Sequence, residues 1–126
     1  MVQMTVRLTA ASGRAPQLVE ALHALMRETR RRAGCSDAHI AVDVDEAHAF
    51  WYCEDWQDER ALEDELRSET FSQLLALLET STTPPVLEFR TIAETRGLDY
   101  VSAVREQPQL PTPPDRLQAE RRGMES

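Results

Sequence analysis

Polar and apolar residues alternate over the first ten positions of the chain. Val2, Met4, Val6 and Leu8 fall on one side of an extended segment, with polar side chains between them. A period of two residues is typical of a β-strand that buries one face. We therefore predict a strand over residues 2–10.

The next periodic segment repeats its apolar residues at three- and four-residue spacing, which places them on one stripe of a helix. Pro16 suits the first turn of such a helix, and Gly34 suits the position just after its end, so we predict a helix that ends at about Ala33. The residues of the stripe are Leu18, Leu22, Leu25, Met26 and Thr29.

Residues 38–44 and 48–56 predict a hairpin whose loop lies at 45–47. The two strands alternate apolar and polar positions, so the length of the loop decides which sets meet. We expect the three-residue loop because it keeps the apolar sets on one face, whereas a two-residue loop separates them.

This register pairs Val42 with Phe50 and Ile40 with Tyr52. The shorter loop would instead pair them with Ala49 and Trp51. On the preferred register two groups of side chains point to opposite faces of the second strand. Towards Ile40 point His48, Phe50, Tyr52, Glu54 and Trp56, and away from it point Trp51 and Cys53, with His39.

The remaining elements complete an alternating order. Asp58 and Ser68 are suited to cap two short helices, and residues 86–94 predict a last strand. The order β-α-β-β-α-β predicts an α+β fold of the ferredoxin-like type, an antiparallel sheet with its helices on one face.

Such a sheet leaves its second face without a cover. Trp51, together with Leu87 or Phe89, would then lie in water, and the simplest cover is a second copy of the chain. We therefore expect a homodimer that forms through the open sheet face.

The C-terminal segment differs in composition from the rest of the chain. Four of the seven prolines lie within residues 108–114, among charged residues and with little to bury. We predict one folded domain over residues 1–105 and a disordered tail over residues 106–126.

Charge and composition narrow the classes of function. The formal net charge of −8 argues against sequence-independent binding to nucleic acid or to anionic membranes. No stretch approaches the roughly 20 apolar residues of a membrane span, and no signal peptide is visible, so we expect a cytoplasmic protein.

The chain has no lysine, which excludes Schiff-base chemistry. Cys35 and Cys53 lack metal-ligand spacing, so we expect no metal site; a buried thiol, a disulfide and a reactive thiol stay open for them.

Two stretches together resemble a known family. "AGC" at 33–35 and "FWYCEDWQDERALEDELRSETFSQLLALL" at 50–78 are similar to the antibiotic biosynthesis monooxygenase family of dimeric α+β barrel proteins. The resemblance covers residues 2 to about 94. The residues that fit the spacing of the family signature are Glu54, Trp56, Asp58, Ala61, Leu62, Leu66, Ser68 and Phe71.

The resemblance implies a homodimer with a cavity between sheet and helices in each protomer. Members oxygenate anthrones, phenols and hydroquinones with O₂ and without flavin, haem or metal, whereas others degrade haem, isomerise small metabolites or have no known activity. The haem-degrading branch relies on an asparagine, and this chain has none. Tyr52 stands where quinone-forming members often have asparagine, and Glu65 stands where many relatives have histidine.

We therefore favour a cofactor-independent monooxygenase that acts on an aromatic or polycyclic phenol, anthrone or hydroquinone. The alternative is a non-catalytic dimer that binds a small aromatic molecule with the same fold. Aromatic side chains provide flat walls, and a histidine provides the base that forms the phenolate. The catalytic candidates are Trp56, Tyr52, His48 and His23, and the substrate-binding candidates are Phe50, Glu54, Arg90, Phe71 and Leu22. If the Glu54 carboxyl is buried, we expect Arg7 or Arg90 on a neighbouring strand to neutralise it.

Overall fold

The computed structural model describes residues 1–107 and divides into two compact units after Ala93. Most of the tail predicted over residues 106–126 lies outside the described residues, so its disorder stays a prediction. The elements of the first unit are β1 (Val2–Thr9), α1 (Ala15–Arg30), β2 (Cys35–Val42), β3 (Ala49–Trp56), α2 (Glu59–Leu66), α3 (Glu69–Leu78) and β4 (Val86–Thr91). The second unit contributes α4 (Leu98–Glu106), none of whose residues is buried.

The four strands form one antiparallel sheet in the order β2-β3-β1-β4, with the helices on one face. This is the α+β, ferredoxin-like arrangement that the order of elements predicts, and it is confirmed. The predicted hairpin register is confirmed as well, because Val42 lies opposite Phe50 and Ile40 lies opposite Tyr52.

The loop of this hairpin is longer than predicted. It spans residues 43–48, because the side chain of Asp43 accepts a hydrogen bond from the backbone N–H of Asp45 at 2.9 Å and turns the chain away from the sheet. Val44 is consequently almost fully exposed instead of belonging to the strand. His48 also lies in the loop and is exposed.

The core lies between the helices and the sheet. β1 contributes Met4, Val6 and Leu8, which alternate as the sequence predicts, and the apolar stripe of α1 packs on them. Leu74 of α3 completes this layer. The buried face of the sheet is therefore the face that carries Tyr52 of β3, since cross-strand partners in a sheet point to the same side and Val6 pairs with Tyr52.

The register of β4 corrects the expectation for the open face. Leu87 pairs with Val6 and Phe89 pairs with Met4, so both side chains lie on the helix-facing side of the sheet and not beside Trp51. They are exposed because β4 is an edge strand that the helices do not cover.

Two local features fix α2 on the sheet. Asp58 and Ser68 cap α2 and α3 as predicted, accepting hydrogen bonds from the N–H groups of Ala61 at 2.9 Å and Phe71 at 3.1 Å. Gly34 has a φ of +88° and lies so close to α2 that any Cβ would collide with that of Ala61. A glycine is therefore required where α1 turns into β2.

Within residues 1–107, the helices are too short or too polar for any of them to cross a membrane.

Candidate functional site

A row of polar and aromatic side chains is buried on the helix-facing side of β3. Tyr52 and Trp56 have 0% of their surface exposed and Glu54 has 1%. The indole Nε1–H of Trp56 donates to Oε1 of Glu54 at 3.1 Å, and the hydroxyl of Tyr52 donates to Oγ1 of Thr29 on α1 at 3.3 Å. Both aromatic polar groups thus have partners inside the protein, as buried indole and phenol groups normally do.

Glu54 is a buried carboxyl without an arginine partner in the part of the chain that the structure describes. The expectation that Arg7 or Arg90 neutralises it is wrong, because both point to the other face of the sheet. Arg7 pairs with Asp43 at 3.3 Å, and Arg90 contacts an oxygen of its own strand neighbour Glu88 at 3.1 Å.

Burial therefore raises the pKa of Glu54 to about 7, against an ordinary value of 4.5. Hydrogen bonding with Tyr52 opposes this rise in pKa, the charge of Glu65 adds to it, and hydrogen bonds with Trp56 and Thr29 oppose it further. Burial also raises the pKa of the Tyr52 hydroxyl well above its ordinary value. At neutral pH the Glu54 carboxyl thus exists in both protonation states, which is unusual for a glutamate and common at functional sites.

Glu65 of α2 is a second buried carboxyl beside this row, with 1% of its surface exposed. Its Oε1 lies 2.7 Å from Nε of Arg32 and 3.3 Å from Oγ of Ser68. Its Oε2 has no hydrogen-bond partner within residues 1–107. Burial raises the pKa of Glu65, while the charge of Arg32 and the Ser68 hydroxyl oppose that rise.

We call Thr29, Arg32, Tyr52, Glu54, Trp56 and Glu65 the acidic cluster. It holds two carboxyls and one guanidinium in the space between α1, α2 and the sheet. In the sequence, Glu65 stands out only as a departure from the histidine of related proteins, and its membership of the site was not predicted. Its position inside the helix, in phase with Leu62 and Leu66, was the available signal for burial.

A groove of about 360 Å³ lies between α1 and β2. Its floor and walls are mainly apolar, and its polar groups are two histidines and an arginine. The residues that define it are His23, Met26, Arg30, His39, Ile40 and Phe50. The guanidinium of Arg30 is held in place by donating through Nε and Nη2 to the carbonyl of Ala38, at 3.0 and 2.6 Å.

The groove borders the acidic cluster. Phe50 lines the groove, and Tyr52 is the next residue of β3 on the same face. Two residues of a strand span about 7 Å, so the two sites are neighbours along one strand. Of the residues predicted for the site, the structure brings His23 and Phe50 together in the groove, and Tyr52, Glu54 and Trp56 together in the cluster.

The other predicted site residues lie elsewhere. His48 is exposed in the β2–β3 loop, and Arg90 is exposed on the open face, where its Nη1 contacts Thr5 Oγ1 at 3.4 Å. Leu22 and Phe71 belong to the hydrophobic core between helices and sheet. His39 pairs with Cys53 and so lies on the opposite face, as predicted, and it also borders the groove, which runs along the edge strand β2.

The two cysteines are free thiols, and burial raises the pKa of each. Cys53 is buried and Cys35 is half-buried. In the described part of the chain, histidine, cysteine, aspartate and glutamate side chains form no group of three that could hold a metal ion.

Residues 1–77 match the family model named "Antibiotic biosynthesis monooxygenase". The chain belongs to this family. No curated protein matches it.

Several solved structures share the fold of this chain. A Deinococcus radiodurans protein described as a candidate antibiotic biosynthesis monooxygenase is 21% identical, with a TM-score of 0.71 over 78% of this chain and 98% of that one. A Pseudomonas aeruginosa protein is 27% identical, with a TM-score of 0.63 over 74% and 94%. SnoaB, a cofactor-independent oxygenase from Streptomyces nogalater, is 18% identical, with a TM-score of 0.65 over 75% and 94%.

Proposed function

We propose that this family member is a cofactor-independent monooxygenase that oxidises a phenolic aromatic compound, such as an anthrone or a hydroquinone, with O₂. The observation that carries the proposal is the groove between α1 and β2, which combines an imidazole, an aromatic ring and an apolar floor. The substrate ring lies against Phe50 and Ile40, and His23 is the base. SnoaB, named as a cofactor-independent oxygenase, shares the fold.

The chemistry requires only a proton acceptor and a flat apolar surface for the substrate ring. His23 removes the substrate proton, and the positive charge of Arg30 at the groove stabilises the resulting anion. The anion transfers one electron to O₂, and the radical and superoxide combine to form a C–O bond. For an anthrone, loss of water from the hydroperoxide then converts the CH₂ group into C=O, so that one O₂ yields one quinone and one H₂O.

The acidic cluster has a supporting role in this proposal. Tyr52 and Trp56 have no exposed surface, so they do not touch the substrate in this conformation. Tyr52 packs in the same core cluster as Phe50 and acts as a positioning residue for that ring. Glu54 holds the indole of Trp56 through the 3.1 Å hydrogen bond. The rigid packing of these side chains keeps the groove in shape.

Oxygen uptake measured with a panel of anthrones and hydroquinones tests the proposal. With an anthrone we expect one O₂ consumed per quinone formed and one ¹⁸O atom from ¹⁸O₂ in the quinone. His23→Gln should lower kcat/KM by about 100-fold, the usual scale for a lost general base. His48→Gln is the matched comparison, because His48 is also exposed but lies outside the groove. A loss of activity in His48→Gln and none in His23→Gln would overturn the assignment of the base.

A second candidate is a binding protein without turnover. The observation in its favour is the complete burial of Tyr52 and of Trp56, two aromatic residues that were predicted to be catalytic. This function predicts saturable binding of the same aromatic compounds with no O₂ uptake above the uncatalysed rate.

We also propose that the protein is a homodimer through the open sheet face. Trp51 supports this, because it is only half-buried and stacks on Arg7, whose guanidinium lies 5.9 Å from the ring centroid. Trp51→Ala should shift the protein towards monomer in sedimentation equilibrium, since buried tryptophans contribute about 2 kcal/mol or more to interfaces. An unchanged dimer affinity would argue for a different interface.

A further inference from the structure

A second cavity, of about 440 Å³, lies on the other side of α1, between the β1–α1 loop, the first half of α1 and the C-terminal end of α3. None of its lining residues lines the groove. Three of its lining residues are alanines, whose side chains occupy little space. We call it the alanine cavity, and the residues that define it are Ala10, Ala11, Arg14, Leu18, Ala21 and Leu77.

The walls of the alanine cavity are mainly apolar, with Gln17 and Thr80 as their uncharged polar residues, and the cavity has a positive charge without a negative partner. Leu18 and Ala10 are buried, and Leu77 closes the α3 side. Arg14 is the one charged residue that lines the cavity, and no carboxylate pairs with it among residues 1–107. The first turn of α1 also carries no acidic side chain. In a chain of net charge −8, an unpaired arginine beside an apolar cavity is a site of local positive potential.

We propose that the alanine cavity binds a small apolar molecule that carries one carboxylate, with its hydrocarbon body between α1 and α3 and its carboxylate on Arg14. Guanidinium and carboxylate form charge-assisted, two-pronged hydrogen bonds, and apolar cavities of a few hundred Å³ with a few polar groups at one end are typical ligand sites. This site is independent of the proposed oxygenase activity, because it shares only α1 with the groove.

Calorimetric titration with 2-naphthoate, and with its neutral isostere 2-naphthamide, tests this proposal on the full chain. We expect 2-naphthoate to bind saturably and at least about tenfold more tightly than 2-naphthamide. Arg14→Gln should remove that difference by weakening naphthoate alone. Arg27→Gln is the matched control, because Arg27 is an exposed arginine of α1 that lies outside the alanine cavity, and it should leave both affinities unchanged.

A second variant and a second measurement keep the test decisive. Ala21→Leu fills the cavity and should weaken both compounds, with a thermal melt showing that the variant is folded. Amide chemical-shift changes on naphthoate addition should map to residues 10–21 and 77–80. The proposal is overturned if naphthoate shows no saturation below about 1 mM, if Arg14→Gln and Arg27→Gln weaken it equally, or if the shift changes map to residues 39–50 of the groove.

Discussion

The buried carboxyl of Glu54 should make the folded protein less stable as the pH rises through the neutral range. Its pKa is about 7 in the folded protein and 4.5 as an ordinary value, so the folded state binds more protons than the unfolded state between these two pH values. The contribution of Glu54 to the free energy of unfolding is therefore fully present below pH 4.5 and is lost as the pH rises through 7.

The expected loss follows from the shift in pKa. A difference of one pKa unit corresponds to about 1.4 kcal/mol, so the shift of Glu54 corresponds to about 3 kcal/mol in the free energy of unfolding. Screening by solvent reduces this little, because Glu54 has only 1% of its surface exposed. A loss of this size is a large fraction of the stability of a small domain.

The other groups in the described part of the chain whose pKa is clearly shifted act mostly outside this pH range. Glu65 has a raised pKa and acts in the same direction as Glu54. The pKa values of Cys35, Cys53 and Tyr52 are raised from ordinary values of 9 and 10, so these groups act only above the range. The lowered pKa of Asp43 starts from 3.8, so Asp43 acts only below it.

Urea denaturation between pH 4.5 and 8, followed by tryptophan fluorescence, measures the effect. Glu54→Gln should remove about 3 kcal/mol of the pH dependence while keeping an acceptor for the Trp56 indole. Glu63→Gln is the matched control, because Glu63 lies on α2 but is exposed and pairs with Arg67 at 3.7 Å. A Glu54→Gln variant with the pH dependence of the unmodified protein would refute the reasoning.

Three further predictions concern the packing and the tail. Gly34→Ala should lower stability by about 3 kcal/mol in thermal or urea denaturation. Gly13→Ala should lower it by only about 1 kcal/mol, because Gly13 also has a positive φ but has open space around it. Equal losses would argue against the close approach of α2 to Gly34. Arg32→Gln should cost about 3 kcal/mol because it leaves the Glu65 carboxylate buried and unpaired, and adding Glu65→Gln should restore most of the loss in a double-mutant cycle. Deleting residues 106–126 should leave the melting temperature and the oligomer mass unchanged, and a drop of several degrees would show that the tail packs on the fold.

The choice between two exposed histidines shows where prediction from sequence ends. His23 and His48 both lie close to apolar residues in the sequence, and both were candidates for the base. The structure places His23 in the groove because α1 lies against β2, and it places His48 in a loop because Asp43 ends the strand early. Neither the docking of α1 nor the length of the loop follows from local periodicity.

The surroundings of Glu54 show that the charged partner of a buried residue is also difficult to predict from the sequence. Alternation along β3 predicts correctly that Glu54 shares a face with Tyr52 and Trp56. The expected ion pair between Glu54 and Arg7 does not form, because Met4 and not Arg7 lies on that face when β1 pairs with β3. The raised pKa of Glu54 depends on this pairing between distant segments and on the α2 residue Glu65.

The sequence by itself determined the order of the elements, the hairpin register and the helix caps. Each of these depends on neighbours within a few positions: the two-residue alternation sets Val42 against Phe50, and the oxygens of Asp58 and Ser68 reach the N–H groups three residues on. Only the tertiary structure decided which polar groups are buried together and where space remains. Burial, pKa and cavity volume are sums over residues far apart in the chain, so they appear only when the helices have packed on the sheet.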